Sequence, residues 1–214
     1  MKPMYIAPVD QSLGDEEWRP FVEAQAFGHF IAPGIGLEYP VVVPTQYVLD
    51  KSEVLVHFAI PNPVLDALQA NPRSILSVAG DWAFIPSNWK AIEDEDPALG
   101  IPTTYYAAVQ LRGRAQVKNN PSDIANILRR QLAILQPSVP ISDPLQSDSG
   151  KLKSIRAVVL NVEEIAAKFK FGGNVNPQHQ RAVIGHLKAR QGPGDLAALA
   201  HAARRLASSE EKEA

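Results

Sequence analysis

Between Thr104 and Lys118 the chain alternates without a break. Tyr105, Ala107, Val109, Leu111, Ala115 and Val117 fall on one side, and Tyr106, Ala108, Gln110, Arg112, Arg114, Gln116 and Lys118 on the other. Successive side chains leave opposite faces of a pleated strand, so this contrast describes one long strand with a dry face and a wet one. A strand of this length suits a sheet that curls around itself, and Gly113 near its middle predicts a bend or bulge.

The rest of the chain is cut into short pieces. Eighteen prolines among 214 residues, against 13 glycines, interrupt long helices and central strands. Short apolar runs at Phe27–Ala32, Tyr39–Val43, Val54–Ile60, Ile75–Gly80, Ala83–Ile85 and Ile155–Val162 read as strands. Both faces of the third run are mostly apolar, which predicts cover on both sides. Helices are expected over residues 15–26, 63–70 (with Asn62 as N-cap), from Pro121 to the stop at Pro137, and over about 177–189 and 195–207. In the last of these, Leu196, Leu199, Ala200, Ala203 and Leu206 form the apolar stripe. Residues 137–150 carry little that packs and read as a surface loop. Six or seven strands in hairpin-like order, without β–α–β alternation, predict a mainly β (α+β) chain built on a small antiparallel barrel.

Charge and composition exclude several functions. Lys and Arg total 21 against 23 Asp and Glu, so the net charge of −2 argues against coating nucleic acid or anionic lipid by bulk electrostatics. The absence of Cys removes disulfides, thiolate metal sites and a Cys nucleophile. The five His never fall at HxxxH spacing, so no metal site is expected, and the acidic run 93–96 reads as a solvated loop. GxGxxG, GxxxxGK[ST] and GxSxG are absent. No apolar run approaches the ~20 residues of a membrane helix. The first ten residues lack a signal-peptide core, which predicts a soluble cytoplasmic protein.

Four segments hold chemistry. In His57-Phe58-Ala59-Ile60-Pro61-Asn62-Pro63 a strand runs into a helix start, which suits a phosphate or, more plainly, is a barrel histidine followed by an N-cap. Ser87-Asn88-Trp89 offers a ring for stacking with polar neighbours, or simply caps the core. Thr103 and Thr104 set hydroxyls where a loop enters the long strand, a position that strand propensity alone also explains. Lys168-Phe169-Lys170-Phe171-Gly172-Gly173-Asn174 puts two cations on one face ahead of a flexible turn, either an anion cradle or a solvated edge guarded by Lys.

In this order, and with Met4-Tyr5-Ile6 ahead of them, these segments resemble the PaiB-like family of FMN-binding split-barrel proteins. The family pattern is an MY(I/V)P start, HxAxxNP, Gly-x-x-(Tyr/Phe)-Ile-x-x-x-Trp, Pro-Thr-x-x-Tyr and Lys-x-Lys-x-x-x-Asn. Here it reads Met4–Ile6, His57–Pro63, Gly80–Trp89, Pro102–Tyr106 and Lys168–Asn174. The resemblance implies an antiparallel six-stranded split β-barrel with inserted and C-terminal helices. It implies a single domain over 1–214: barrel about 4–170, helical extension about 175–207 and frayed tail 208–214. It further implies a homodimer with FMN at the subunit interface and a flavin-linked redox or regulatory role. His57, Asn62, Ser87, Trp89, Thr103, Lys168 and Lys170 are then the cofactor-binding residues. Where members often carry a basic residue after the Ala of HxAxxNP, this chain has Ile60, and Lys168, Lys170 or Lys90 would supply the charge. That departure motivates a second reading, a flavin-free regulatory module on the same barrel. Its DNA-binding version rests on the five Lys and Arg against one Asp in residues 177–207. A third reading is a haem protein with His57 or His179 as axial ligand.

Overall fold

The computed structural model describes residues 4–213 apart from positions 35, 90, 93, 97, 99, 141 and 148. In chain order the elements are α1 (Asp15–Gln25), β1 (Phe27–Ala32), β2 (Val41–Gln46), β3 (Val48–Asp50), β4 (Glu53–Ala59), α2 (Val64–Ala70) and β5 (Arg73–Ile85). There follow β6 (Thr103–Lys118), α3 (Pro121–Leu135), α4 (Pro144–Ser147), α5 (Ser149–Leu152), β7 (Ile155–Lys170), α6 (Pro177–Arg190) and α7 (Asp195–Glu213). The chain divides into two compact units. A sheet unit takes Arg19–Val78 and Val109–Ala166; a terminal unit takes the chain up to Trp18, Ala79–Ala108, and everything from Ala167 on.

The strands form one antiparallel, curled sheet, a half-barrel, in the order β2-β1-β5-β6-β7-β4-β3. It has seven strands where the resemblance implied six. The extra strand comes from residues 41–50: β2 continues through Pro44, and β3 begins after Tyr47. Pro44 is tolerated because β2 is an edge strand and needs no second ladder. The same region shows why the sheet curls. β2 and β3 stand at opposite ends of the strand order, yet Tyr47 alone joins them. The two edges are therefore drawn together. Tyr47 is buried at this corner, its hydroxyl donates to Val22 O at 2.5 Å, and burial pushes its pKa up.

In the sheet unit, Val54, Leu55 and Val56 of β4 are all fully buried, as a strand covered on both faces requires. β4 pairs with β7 in the register Leu55↔Val159 and His57↔Ala157. Ile124 and Ile127 of α3 pack with Val48, Leu55 and Val159 into a core, each such side chain being worth roughly 1.5–3 kcal/mol when fully buried. The sequence explains α3 locally: Pro121 opens it, and Asn120 Oδ1 accepts from Ser122 N at 2.9 Å. The expected loop at 137–150 is corrected. It contains the short helices α4 and α5, and Leu152 at their end is buried in that core.

The two runs at 75–80 and 83–85 are one strand, β5. Ser74, Leu76 and Val78 are buried, then Ala83 and Ile85, so the buried parity switches at Asp81, whose φ is +51°. Here is the bulge that Gly113 was expected to supply. Around Gly113 the buried odd positions continue from Tyr105 to Ala115. Its glycine serves close approach instead: a Cβ there would stand 1.8 Å from Asn161 O.

The terminal unit corrects the reading of the last helix. α7 runs to Glu213, past residue 207, with Ser209 Oγ bonded to Arg205 O and Glu210 paired to Arg181. Its buried face carries Asp195, Ala198, His201, Ala202 and Arg205, whereas Leu196 is 70% exposed. Leu196, Ala200 and Ala203 of the expected stripe face out, with Leu199 and Leu206 half-buried, because the polar residues find partners inward: Arg190 for Asp195, Asp81 for His201 and Glu17 for Arg205.

Candidate functional site

The end of β7 concentrates the chemistry. Alternation sends Phe169 and Phe171 into the interior, where Phe171 meets Tyr105 edge-on at 5.8 Å and stacks on His201 at 4.6 Å. Lys168 and Lys170 take the other face. Neither is a simple solvated edge lysine. Lys168 is 9% exposed; its Nζ donates to Tyr5 O at 3.2 Å, stands 3.8 Å from Asp10 Oδ2, and lies 5.6 Å from the rings of Tyr5 and Tyr106. Lys170 Nζ donates to Thr103 Oγ1 at 2.7 Å. Burial raises the pKa of Asp10, and Lys168, Lys170 and Arg205 act against that rise in this order. Lys168 thus pairs with a carboxylate that burial makes reluctant to ionise, and Lys170 stands on the same face of β7.

The turn that follows is shaped by its glycines. Gly172 has φ +84°, and a Cβ there would meet the Tyr105 hydroxyl at 2.3 Å. Burial pushes that hydroxyl up to about 12. Asn176 then caps α6, its Oδ1 accepting from His179 N at 3.0 Å.

Ser87 and Trp89 lie in a 3-10 turn of the same unit. Trp89 stacks on His186 at 5.1 Å and takes the Arg190 guanidinium over its ring at 4.3 Å. Arg190 in turn bonds Asp195 through Nε at 2.8 Å and Nη2 at 2.5 Å, and donates to Phe84 O at 3.0 Å. Trp89 is therefore committed to α6. Lys90 lies outside the described residues.

His57 and Asn62 belong to the sheet unit. His57 Nδ1 is 3.0 Å from Gln131 Oε1, and Gln131 Nε2 donates to the buried Leu55 O at 2.9 Å. α2 begins at Val64 rather than at residue 63, and Asn62 Oδ1 accepts from Val64 N at 3.1 Å, so Asn62 still satisfies the helix start. Between them, Ile60 N donates to Ser154 O at 3.0 Å. Residues 57–63 contain no Lys or Arg.

The family described as "Putative FMN-binding domain" matches residues 4–164. The chain belongs to this family. FMN is accordingly its cofactor. Among curated proteins it is similar to the "Protease synthase and sporulation protein PAI 2" of Bacillus subtilis, 25% identical over 196 residues that cover 89% of this chain and 92% of that one. Two solved structures share its fold. The FAD and heme binding protein from Mycobacterium smegmatis has a TM-score of 0.59 at 16% identity, over 76% of this chain and 74% of that one. The flavocytochrome Anf3 from Azotobacter vinelandii has 0.58 at 17% identity, over 75% and 69%.

The donor chemistry of this chain fits the cofactor. FMN carries a phosphate, and Lys170 and Lys168 beside Thr103 form the cationic hydroxyl-bearing patch that a phosphate needs. Among the described residues no group of three or more His, Asp or Glu is placed to hold a metal ion, and no helix is long and apolar enough to cross a membrane.

Several partners were not visible as motifs. Asp10 and Tyr106, which surround Lys168, come from segments far apart in sequence. Gln131 left a signal: it occupies a position of the apolar stripe 124, 127, 128, 131 of α3, and a polar residue on a buried face implies a partner.

Proposed function

We propose that the protein is a homodimeric split-barrel flavoprotein that receives the FMN phosphate at Lys170 and Thr103, with Lys168 behind them. The observation that carries this is the Lys170 ammonium on the Thr103 hydroxyl at 2.7 Å, with Lys168 on the same face of β7. Lys170 uses one donor on Thr103 Oγ1, and the Thr103 hydroxyl hydrogen remains for a phosphate oxygen. Ser87 and Trp89 act by fixing the turn at residues 87–89, since the Trp89 ring is stacked on α6. His57 and Asn62 are candidate ribityl contacts of the sheet unit, to be tested on their own. Trp82 at 59% and Phe84 at 50% exposure present the apolar surface expected of a subunit contact. Bound flavin supplies hydride or single-electron chemistry, and the chain supplies binding and orientation. The domain reading stands beside this as a proposal: one split-barrel domain over the whole chain.

The test is the visible spectrum of the protein titrated with FMN, read beside its melting temperature and its mass in solution. Flavin bands that perturb on binding, an upward thermal shift, and an affinity cut at least about tenfold by Lys170→Ala are expected. A colourless protein with no thermal shift would sink the reading. A monomer at all concentrations would sink the dimer.

The match to an FMN-binding family overturns the flavin-free module, and a regulatory role on the same barrel is the second reading. Its DNA-binding version is weakened by ion pairing. Of the five cations in residues 177–207, Arg181, Arg190, Arg204 and Arg205 face Glu210, Asp195, Glu17 and Glu17. For a haem, His179 has both ring nitrogens engaged, with Asn176 and Glu95. Of these two candidates, His57 Nε2 has no partner among the described residues, and a Soret band lost in His57→Ala is the outcome that would establish a haem.

A further inference from the structure

The sheet unit contains a cavity of about 480 Å³ that no part of the flavin reading uses. It opens where β1 ends, β5 begins, and β6 and β7 pass the Gly113–Asn161 crossing. Its volume lies within the ordinary range of small-molecule sites. One wall is apolar, made by Ile31, Pro33, Pro40 and Ile75. The other carries Arg73, Arg112, Glu163 and Glu164, two charges of each sign.

Arg112 is short of partners. Of its five N–H donors, one from Nη2 meets Gln110 Oε1 at 2.7 Å. Its nearest carboxylate, Glu164, stays 3.9 Å from Nη1, beyond hydrogen-bond reach. Nε is buried with no acceptor among the described residues, so the Gln110 hydrogen bond and the burial around Nε hold the side chain in place. Glu163 is drawn toward Arg114 instead, at 3.6 Å. A guanidinium preset in this way, with Nη1 unspent beside an apolar wall, matches a planar oxyanion on an apolar body. The two glutamates limit the charge. The charged lining sums to zero, so beyond the one carboxylate that Arg112 meets it offers no net positive charge to offset a second anionic group.

We propose that this cavity binds a small monocarboxylate with an apolar body, its carboxylate on Nη1 of Arg112 and its body against Ile31, Pro33, Pro40 and Ile75. The ligand is a simple acid or an apolar amino acid, whose ammonium would face Glu164.

The experiment is an amide-resolved NMR titration of the full chain with 3-phenylpropionate, L-phenylalanine and the uncharged 3-phenylpropionamide. Saturable shifts are expected at residues 31–33, 73–75 and 112–113 with at least one of the two acids and none with the amide. The tighter of the two acids identifies the class. Arg112→Gln should weaken that binding at least about tenfold. If Arg112→Gln does not fold, Pro40→Trp, which fills the apolar wall from an exposed loop, must abolish the shifts. Absence of saturable shifts with both acids, equal binding of the amide, or undiminished binding in the folded variants overturns the proposal. FMN should leave these shifts unchanged, so the outcome is independent of the flavin reading.

Discussion

The two units are held together by different physics. In the sheet unit, Val54, Leu55, Ile124 and Leu160 are fully buried among other apolar side chains, and Arg130 forks onto Asp50 and Glu53 near the surface. In the terminal unit the comparable positions hold charges. Glu17 is buried, accepts from Leu13 N at 2.7 Å, and pairs with Arg205 at 3.0 Å and Arg204 at 3.8 Å. Asp195 is wholly inaccessible against Arg190, and Asp10 shares Lys168. Burial holds the Arg205 guanidinium below its usual range while Glu17 opposes it. A core of apolar side chains tolerates imperfect geometry, whereas a buried charge is stable only while every partner is present. The terminal unit is therefore the more specific of the two and the easier to break.

The largest effect is expected at Glu17→Ala. It strands Arg205 in the interior and should cost about 4 kcal/mol in a denaturant titration; a loss below about 1 kcal/mol would end the comparison. Next comes Ile124→Ala, which should cost about 3 kcal/mol through a cavity in the sheet unit, with the same value from pH 5 to 8. Asp195→Asn sharpens the contrast through pH. The Arg190 hydrogen bond holds the Asp195 carboxyl below 3.8, and the Gly192 N–H adds to this. Its contribution is thus present above the unfolded value and lost as pH falls through the lower folded one. The variant should lose about 2 kcal/mol at pH 7, and the gap to the parent should close below about pH 4. Asp10 works in the opposite sense: its pKa is raised, so Asp10→Asn should not lower the melting temperature at pH 7 as Asp195→Asn does. The smallest effect is expected at Leu196→Gln, within about 0.5 kcal/mol, because that side chain faces water. A loss above about 1.5 kcal/mol would restore the apolar stripe to the interior.

Legibility followed the same division. The alternation of residues 104–118 predicted β6 to within one residue, and Asn120-Pro121 and Asn176-Pro177 marked the starts of α3 and α6, since these signals lie within one element. At α7 the periodicity favoured Leu196, Ala200 and Ala203, and the buried face proved to be Asp195, His201 and Arg205. Nothing near residue 205 indicates that Glu17 is there to receive it. The bulge was placed at Gly113 because glycine is the visible mark of one. It occurs at Asp81, where Asp adopts φ +51° and His201 holds the carboxylate at 2.9 Å. Of the site residues, Lys168 and Lys170 were legible as a pair on one face. Their difference was not: Lys168 is enclosed by Tyr5, Asp10 and Tyr106, and Lys170 reaches Thr103.

The sequence by itself determined the kind of elements, their order and the family, because hydrophobic period, proline and capping residues act within a few positions of themselves. It also determined that no thiol chemistry is available. Tertiary structure alone decided which faces are buried in the terminal unit, that Tyr47 joins the two edges of a seven-stranded sheet, and that Lys168 meets a desolvated aspartate while Lys170 meets Thr103. In the terminal unit those outcomes depend on charges more than 150 residues apart in sequence, as Glu17 and Arg205 are, and the energy of a buried charge is set by whichever partner the fold delivers.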